Sequence, residues 1–191
     1  MALEWLIGGA VVVLGVAAVA IVLVVVYYFN KIVVLANRID NAWSQIDVQL
    51  KRRIDLIPNL VESVKGVMKQ EKELFIGLAD ARESLMKAKT MAGKAEANNM
   101  ITDTLKTIFA RAEAYPQLKS NENMMMLQEE LSGTESKIAY ARQAYNDSCL
   151  ELNNVITTIP GMWFAGFTGK GKEREYFKAE EADRKPVKVS F

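Results

Sequence analysis

The stretch that decides the architecture of this chain is LIGGAVVVLGVAAVAIVLVVVYYF, residues 6–29. It lies inside a longer uncharged run, residues 5–30, which is bounded by Glu4 and Lys31. As an α-helix the stretch would be about 36 Å long, whereas the hydrocarbon core of a bilayer is about 30 Å thick. We therefore predict a transmembrane helix over residues 5–30, which holds the rest of the chain at a membrane surface.

A cleaved signal peptide is the competing interpretation of this run. Such a peptide has an apolar core of about 7–15 residues, preceded by basic residues and followed by small ones. Here the apolar run is longer, no Lys or Arg precedes it, and Tyr27, Tyr28 and Lys31 close it. Tyrosines beside a lysine are typical of a membrane interface. We expect an uncleaved anchor with these three residues at the interface.

Basic residues follow the span and none precedes it. The positive-inside rule therefore predicts a single-pass protein of the inner, cytoplasmic membrane, with its C-terminal body in the cytoplasm.

Composition excludes several common function classes. The chain has 24 Lys and Arg against 23 Asp and Glu, so no net positive field favours nucleic acid as a partner. It contains no histidine, the commonest general base and metal ligand. A single cysteine, Cys149, fits a reducing compartment. We expect a protein that is not an enzyme and that holds no cofactor or metal ion. An enzyme that uses Asp and Glu alone is the least favoured alternative.

The body, residues 31–160, has the periodicity of amphipathic helices, with apolar or small residues every three or four positions. The first such stripe consists of Ile32, Leu35, Ile39, Ala42, Ile46, Leu50, Ile54 and Ile57. No residue that breaks a helix separates it from the span, so the two are expected to be continuous. Pro58 is expected to kink or end this helix.

Three more helices are predicted further along the chain. The second covers about 60–88, and a loop at 91–99 leads to the third at 98–114. Ser120 or Asn121 is expected to cap the last one, which Pro160 and Gly161 end. Its apolar spacing of about 3.5 residues favours coiled-coil-like packing.

These helices predict an all-α fold, in which an N-terminal transmembrane helix continues into an antiparallel up-and-down four-helix bundle. The alternative is one long kinked hairpin of residues 31–90 against 98–159. In both arrangements the chain returns toward the membrane near Ile159, just before MWFAGF at residues 162–167. Residues 161–191 are then an aromatic, glycine-containing segment followed by a flexible charged tail.

Several quoted stretches carry a family resemblance. They are NAWSQIDVQLKRRIDLIPNLVESVKG at 41–66, EAYPQLK at 113–119, NEN at 121–123, LQEEL at 127–131, and TE at 134–135 leading to ARQAYN at 141–146. Together they resemble the LemA family of bacterial and archaeal membrane proteins, over about residues 28–177. Met124, Leu152 and Ile159 depart from aromatic residues that are usual in the family. The resemblance implies one N-terminal span, an antiparallel four-helix domain and no established enzymatic activity.

Charged residues of the body are candidates for partner binding. Lys51, Arg52 and Arg53 form either a solvated face with salt bridges to neighbouring helices or a surface for a protein partner. Anionic lipid is disfavoured there, because the first helix would place them about 30 Å beyond the anchor. Asp40, Asp47, Asp55 and Glu62 follow one another every seven or eight residues. Pairing with Lys or Arg is the favoured interpretation of these carboxylates, and a cation site is the alternative.

Glu71 falls on the predicted packing seam of the second helix, where a buried carboxylate needs hydrogen-bond donors from another helix.

In the span, Gly8 and Gly15, and likewise Ala10 and Ala17, are seven residues apart. Small residues at that interval let two helices approach closely in lipid, so the span is expected to self-associate.

The preferred functional element is MWFAGF. Its aromatic residues Trp163, Phe164 and Phe167 favour a bilayer interface, and packing against the base of the bundle is the alternative. The sequence therefore favours a membrane-anchored, homo-oligomeric helical scaffold, whose partners are the lipid bilayer and another membrane protein. The runner-up is an accessory subunit of a membrane enzyme, such as a protease adaptor.

Overall fold

The computed structural model describes residues 2–177, and within that range every regular element is helical. The helices are α1 (Ala2–Val64), α2 (Lys72–Lys87), α3 (Met91–Ala112), α4 (Pro116–Lys119), α5 (Glu122–Thr157) and α6 (Gly161–Ala165), followed by a 3₁₀ turn over Gly166–Thr168. The all-α prediction is confirmed, as is the continuity of the apolar N-terminal helix with the first helix of the body. The end of the predicted tail, residues 178–191, lies outside the described residues.

Helix α1 passes through Pro58 and ends six residues later, at Val64. The prediction that Pro58 could end the helix is wrong. Proline removes one amide donor, which weakens a helix but does not prevent tertiary packing from continuing it. Here Ile57, Leu60 and Val64 are all buried, so the turn that contains the proline is held by its apolar face.

Helix α3 begins at Met91, so the predicted loop at 91–99 is wrong. The Thr90 side chain accepts a hydrogen bond from the Gly93 amide at 3.1 Å and caps the first turn. Ala97 and Asn98, one turn further on, are buried. The cap and this tertiary burial outweigh the low helix propensity of Gly93. At α5 the Asn121 side chain accepts from the Met124 amide at 3.1 Å, as predicted for a cap.

The described residues form two compact units. Unit 1 comprises residues 2–41 and 145–175, and unit 2 comprises 42–144 and 176–177. The predicted boundary between span and body at residues 30 and 31 lies within α1, in unit 1.

Unit 2 contains the C-terminal part of α1, the helices α2 and α3, the short α4 and the N-terminal part of α5. Arg82 on α2 donates to the Ile54 carbonyl of α1 at 3.2 Å. On α3, Lys94 pairs with Asp47 and Thr102 bonds to Arg53, so α3 runs parallel to α1. The order of these contacts is that of an up-and-down arrangement. The alternative of a single long hairpin is wrong, because the chain leaves α1 at Val64 and reverses over residues 65–71.

Buried side chains on α1 recur at intervals of three and four residues. In unit 2 they are Ile46, Leu50, Arg53, Ile57, Leu60 and Val64. The predicted stripe placed Ile54 in this series, but its neighbour Arg53 occupies the buried position. The core of unit 1 is formed by Ile32, Leu35, Ile39, Tyr145, Cys149 and Leu152, among others.

Candidate membrane-interface site

The N-terminal part of α1 presents apolar side chains outward on every face. Among the described residues, α1 contains one candidate membrane span, and no residue of its most apolar 18-residue window is buried. Leu14, for example, is 69% exposed and Val13 is 68% exposed. Leaving one such side chain in water rather than in an apolar environment costs roughly 1.5–3 kcal/mol. A helix of this composition is stabilised where lipid or other apolar groups surround it, which makes it a candidate membrane span.

Aromatic rings gather where this apolar segment ends. The rings of Tyr27 and Tyr28 meet edge to face at 5.2 Å, and the Lys31 Nζ atom lies 6.0 Å from the centroid of the Tyr27 ring. Tyr28 also stacks on Phe164 at 5.9 Å. This contact joins the end of the span to the MWFAGF segment within unit 1. We call Tyr27, Tyr28, Lys31, Trp163, Phe164 and Phe167 the interface cluster.

The MWFAGF segment forms α6 and the 3₁₀ turn, and it divides its aromatic residues between two environments. Phe164 is partly buried against Tyr28, whereas Trp163 is 60% exposed and Phe167 is 81% exposed. Packing within the fold therefore describes Phe164, whereas contact of Trp163 and Phe167 with a bilayer stays a prediction.

Two glycines allow α6 to sit tightly in unit 1. A Cβ atom on Gly161 would lie 2.1 Å from the Val155 carbonyl oxygen. A Cβ atom on Gly171 would lie 2.2 Å from the Ala165 carbonyl oxygen. Contacts this short do not occur, so only glycine permits the backbone approach that positions Trp163 and Phe164.

Residues 169–175 continue as an extended strap within unit 1. Asn153 and Arg174 exchange two hydrogen bonds, of 3.0 and 2.9 Å, between side chain and backbone. The Tyr145 hydroxyl donates to the Glu175 carbonyl at 3.1 Å. The Lys170 ammonium donates to Asn37 at 2.6 Å. Sequence reasoning missed the strap because it has no apolar periodicity and is held mainly by its backbone.

Burial affects two titratable groups beneath the strap. It raises the pKa of Tyr145 and the pKa of the Cys149 thiol, since a low-polarity environment disfavours the charged form of each. Both side chains are therefore neutral at physiological pH. They serve packing and hydrogen bonding in this fold.

The sequence model of the LemA family matches residues 42–191, most of the chain. The chain belongs to the LemA family. The magnetosome protein MamQ of Magnetospirillum gryphiswaldense is 26% identical in an alignment 195 positions long, and the alignment covers 88% of this chain and 71% of MamQ. Family membership and the exposed apolar helix make this LemA-family chain a membrane-associated protein.

The basic triplet in unit 2 is not a single surface. Lys51 and Arg52 are exposed, and Arg52 lies 3.8 Å from Glu130. Arg53 is only 2% exposed, and its guanidinium bonds to Glu135 at 2.5 Å, Asn98 at 2.7 Å and Thr102 at 2.9 Å. The proposal of Arg53 as a partner-surface residue is thus corrected. Its desolvation lowers the pKa of Arg53, an effect that Glu135 opposes.

The predicted row of carboxylates is largely paired. Asp40 lies 3.7 Å from Arg174, Asp47 lies 2.5 Å from Lys94, and Glu62 lies 2.5 Å from Lys65. Within residues 2–177 no group of three or more His, Cys, Asp or Glu side chains could hold a metal ion. These contacts agree with the favoured interpretation of exposed carboxylates that neighbour basic side chains.

Glu71 does not lie on a helical seam, because α1 ends before it and α2 begins after it. It occupies the N-cap position of α2, where its side chain is 20% exposed and 3.6 Å from Arg111. The residue is a partly buried ion-pair partner at a turn, and its basic partner lies on another helix, α3.

The small residues of the span face open space. A Cβ atom at Gly8 or Gly15 would meet nothing within 4 Å, and Ala10 and Ala17 are exposed. This part of α1 is therefore free within the described fold to contact lipid or another helix.

Proposed function

We propose that this LemA-family protein is a membrane-anchored, non-enzymatic scaffold that self-associates through its span and organises the membrane or partner proteins. The contact between Tyr28 and Phe164 carries the proposal, because it joins the end of the apolar helix to a segment with outward aromatic side chains. The protein is then held at the interface by two elements rather than by a single tether.

The pattern of polar contacts supports a structural role. Charged side chains of unit 2 that approach one another do so as pairs, such as Arg53 with Glu135 and Lys94 with Asp47. Catalytic sites characteristically hold strongly perturbed groups in a cleft. Here Tyr145 and Cys149, whose pKa values burial raises, lie under the strap. Together with the lack of histidine, this favours a protein that acts by binding.

The body is proposed to lie on the cytoplasmic side of the inner membrane. The support comes from the sequence, in which Lys31 and Arg38 follow the span and no basic residue precedes it, because the positive-inside rule places such a basic flank in the cytoplasm.

The test is purification from native membranes in mild detergent, followed by mass determination and identification of whatever copurifies. We expect a homo-oligomer, with a protein mass that is a multiple of the 21.3 kDa chain. A monomer in the detergent extract, together with only monomer after crosslinking in intact membranes, would contradict the scaffold proposal.

The second candidate is an accessory subunit of a membrane enzyme, such as a protease. It is favoured by the exposure of Lys51 and by a groove of about 460 Å³ in unit 2, lined by residues that include Asn59, Glu62 and Asn123. Polar groups around an open groove suit a protein partner. Stoichiometric copurification of one enzyme, lost in the double variant Lys51→Glu and Asn59→Ala, would favour this function over a scaffold.

A further inference from the structure

The stretches that form the interface cluster carry positive charge and no carboxylate. Along α1, Lys31 is the one charged residue between Trp5 and Asn37. Along the returning chain, Lys170 and Lys172 are the charged residues between Leu152 and Glu173. On the side of the body, the carboxylates nearest to these stretches in the sequence are Asp40, Glu151 and Glu173.

Two of these bounding carboxylates are already paired with arginine inside unit 1. Asp40 lies 3.7 Å from Arg174, and Glu151 lies 3.7 Å from Arg38. The three lysines are placed differently. Lys31 lies over the Tyr27 ring, Lys170 donates to the neutral amide of Asn37, and Lys172 is exposed. A neutral partner does not cancel the charge of an ammonium group, so its attraction for anions is retained.

Hydrogen bonds tie Lys170 of the strap to the aromatic segment. The Thr168 hydroxyl donates to the Ala165 carbonyl at 2.9 Å and accepts from the Lys170 amide at 3.2 Å. Lys170 therefore follows directly on the turn that exposes Phe167. Exposed aromatic side chains and unneutralised ammonium groups lie on one short segment, which is the combination found where proteins meet anionic bilayers.

We infer that Lys31, Lys170 and Lys172 bind the phosphate groups of acidic phospholipids at the membrane surface. This inference rests on the proposed membrane anchorage and adds the class of lipid. Acidic lipid is favoured over free phosphate because the exposed Trp163 and Phe167 accompany the cations. Each lysine near an anionic surface strengthens association about fivefold at moderate ionic strength.

The test uses the full chain reconstituted into phosphatidylcholine bilayers. Trace spin-labelled phosphatidylglycerol or spin-labelled phosphatidylcholine is added, and electron paramagnetic resonance measures the fraction of each label that the protein immobilises. We expect a preference for phosphatidylglycerol of about twofold to fivefold. It should fall in the double variant Lys170→Gln and Lys172→Gln, in which only Lys31 remains, and it should fall toward one in 1 M NaCl, where the Debye length is about 3 Å.

The matched control is the double variant Lys51→Gln and Arg52→Gln, which removes the same charge from unit 2. It should keep the preference of the wild type. An equal loss in this control, or no preference in the wild type, would overturn the inference. Replacing chloride with inorganic phosphate at constant ionic strength should change nothing, whereas a selective loss would assign a free-phosphate site instead.

Failure of the inference can be distinguished from failure of the anchorage. A protein that resists alkaline carbonate extraction but shows no lipid preference overturns the role of the lysines and leaves the anchor in place. A protein that carbonate extracts from membranes overturns both, because the lysines would then face no bilayer.

Discussion

Arg53 occupies a buried position at which the neighbouring repeats of α1 carry aliphatic side chains. Ile39, Ile46, Arg53 and Leu60 follow one another at intervals of seven, and all four are buried. A polar residue at such a position lowers stability but restricts how helices can pair, since only one alignment supplies its partners. Here the partners come from two other helices, α3 and α5. We therefore regard Arg53 as a residue that specifies the alignment of the helices in unit 2.

Replacing Arg53 with alanine should lower the free energy of unfolding by about 3 kcal/mol, because a buried ion pair loses one member and a cavity remains. The neighbouring change Arg52→Ala should cost less than about 1 kcal/mol, since that pair with Glu130 is solvent-exposed. Guanidinium titration in detergent, followed by circular dichroism, measures both. Equal effects of the two changes would contradict the buried role.

The raised pKa of Cys149 has a consequence for stability at alkaline pH. The unfolded thiol ionises near pH 9, whereas the buried thiol stays protonated to higher pH. The stabilising contribution is therefore complete below about pH 9 and is lost as the pH rises toward the pKa of the folded state. Unfolding titrations from pH 7 to 10.5 should show this decline, and it should be smaller in Cys149→Ser.

Alkylation of the native protein provides a second measurement for the same residue. Iodoacetamide at pH 8 should modify Cys149 slowly until the protein is unfolded, because the buried thiol carries little thiolate. Rapid modification of the folded protein would show that the strap does not cover it.

At the scale of elements, the return of the chain at α6 depends on a backbone contact that only glycine allows. We predict that Gly161→Ala displaces α6, since its Cβ atom would overlap the Val155 carbonyl. Gly166→Ala is the matched control, because a Cβ atom there meets nothing within 4 Å.

The readout for this pair is Trp163 fluorescence in a background with Trp5→Phe and Trp43→Phe. In bilayers, brominated lipid should quench Trp163 in the parent and in Gly166→Ala, and less in Gly161→Ala. Similar quenching in all three proteins would refute the positioning role of Gly161. Absence of quenching in the parent would refute the contact of Trp163 with the interface.

At the scale of the whole molecule, the open faces of Gly8 and Gly15 are the proposed route to assembly. Changing both to leucine should reduce dimer and higher crosslinks in native membranes severalfold, because bulky side chains keep helix backbones apart. The double change Val13→Leu and Ala20→Leu has the same spacing but lies on another face of α1, about 120–160° around the helix axis from the two glycines. It should leave the crosslinking pattern as in the wild type, and a reduction equal to that of the glycine variant would contradict the assignment.

The sequence predicts the features that depend on adjacent residues, and it fails where contacts between distant residues decide the structure. The apolar span, the amphipathic stripes and the Asn121 cap were predictable, because length, periodicity and capping are properties of adjacent residues. The boundaries at Pro58 and Met91 were not. In both places packing against distant segments outweighs the local preference of the chain.

The candidate site likewise has some features that follow from adjacent residues and others that follow from contacts between distant residues. The sequence by itself determined that Tyr27, Tyr28 and Lys31 end an apolar helix, and that an aromatic segment follows Pro160. Only the tertiary structure decided that Phe164 meets Tyr28, that Arg53 turns inward, and that a strap brings Lys170 to Asn37. Those contacts join residues far apart in the chain, and their formation depends on how whole helices pack rather than on any local pattern.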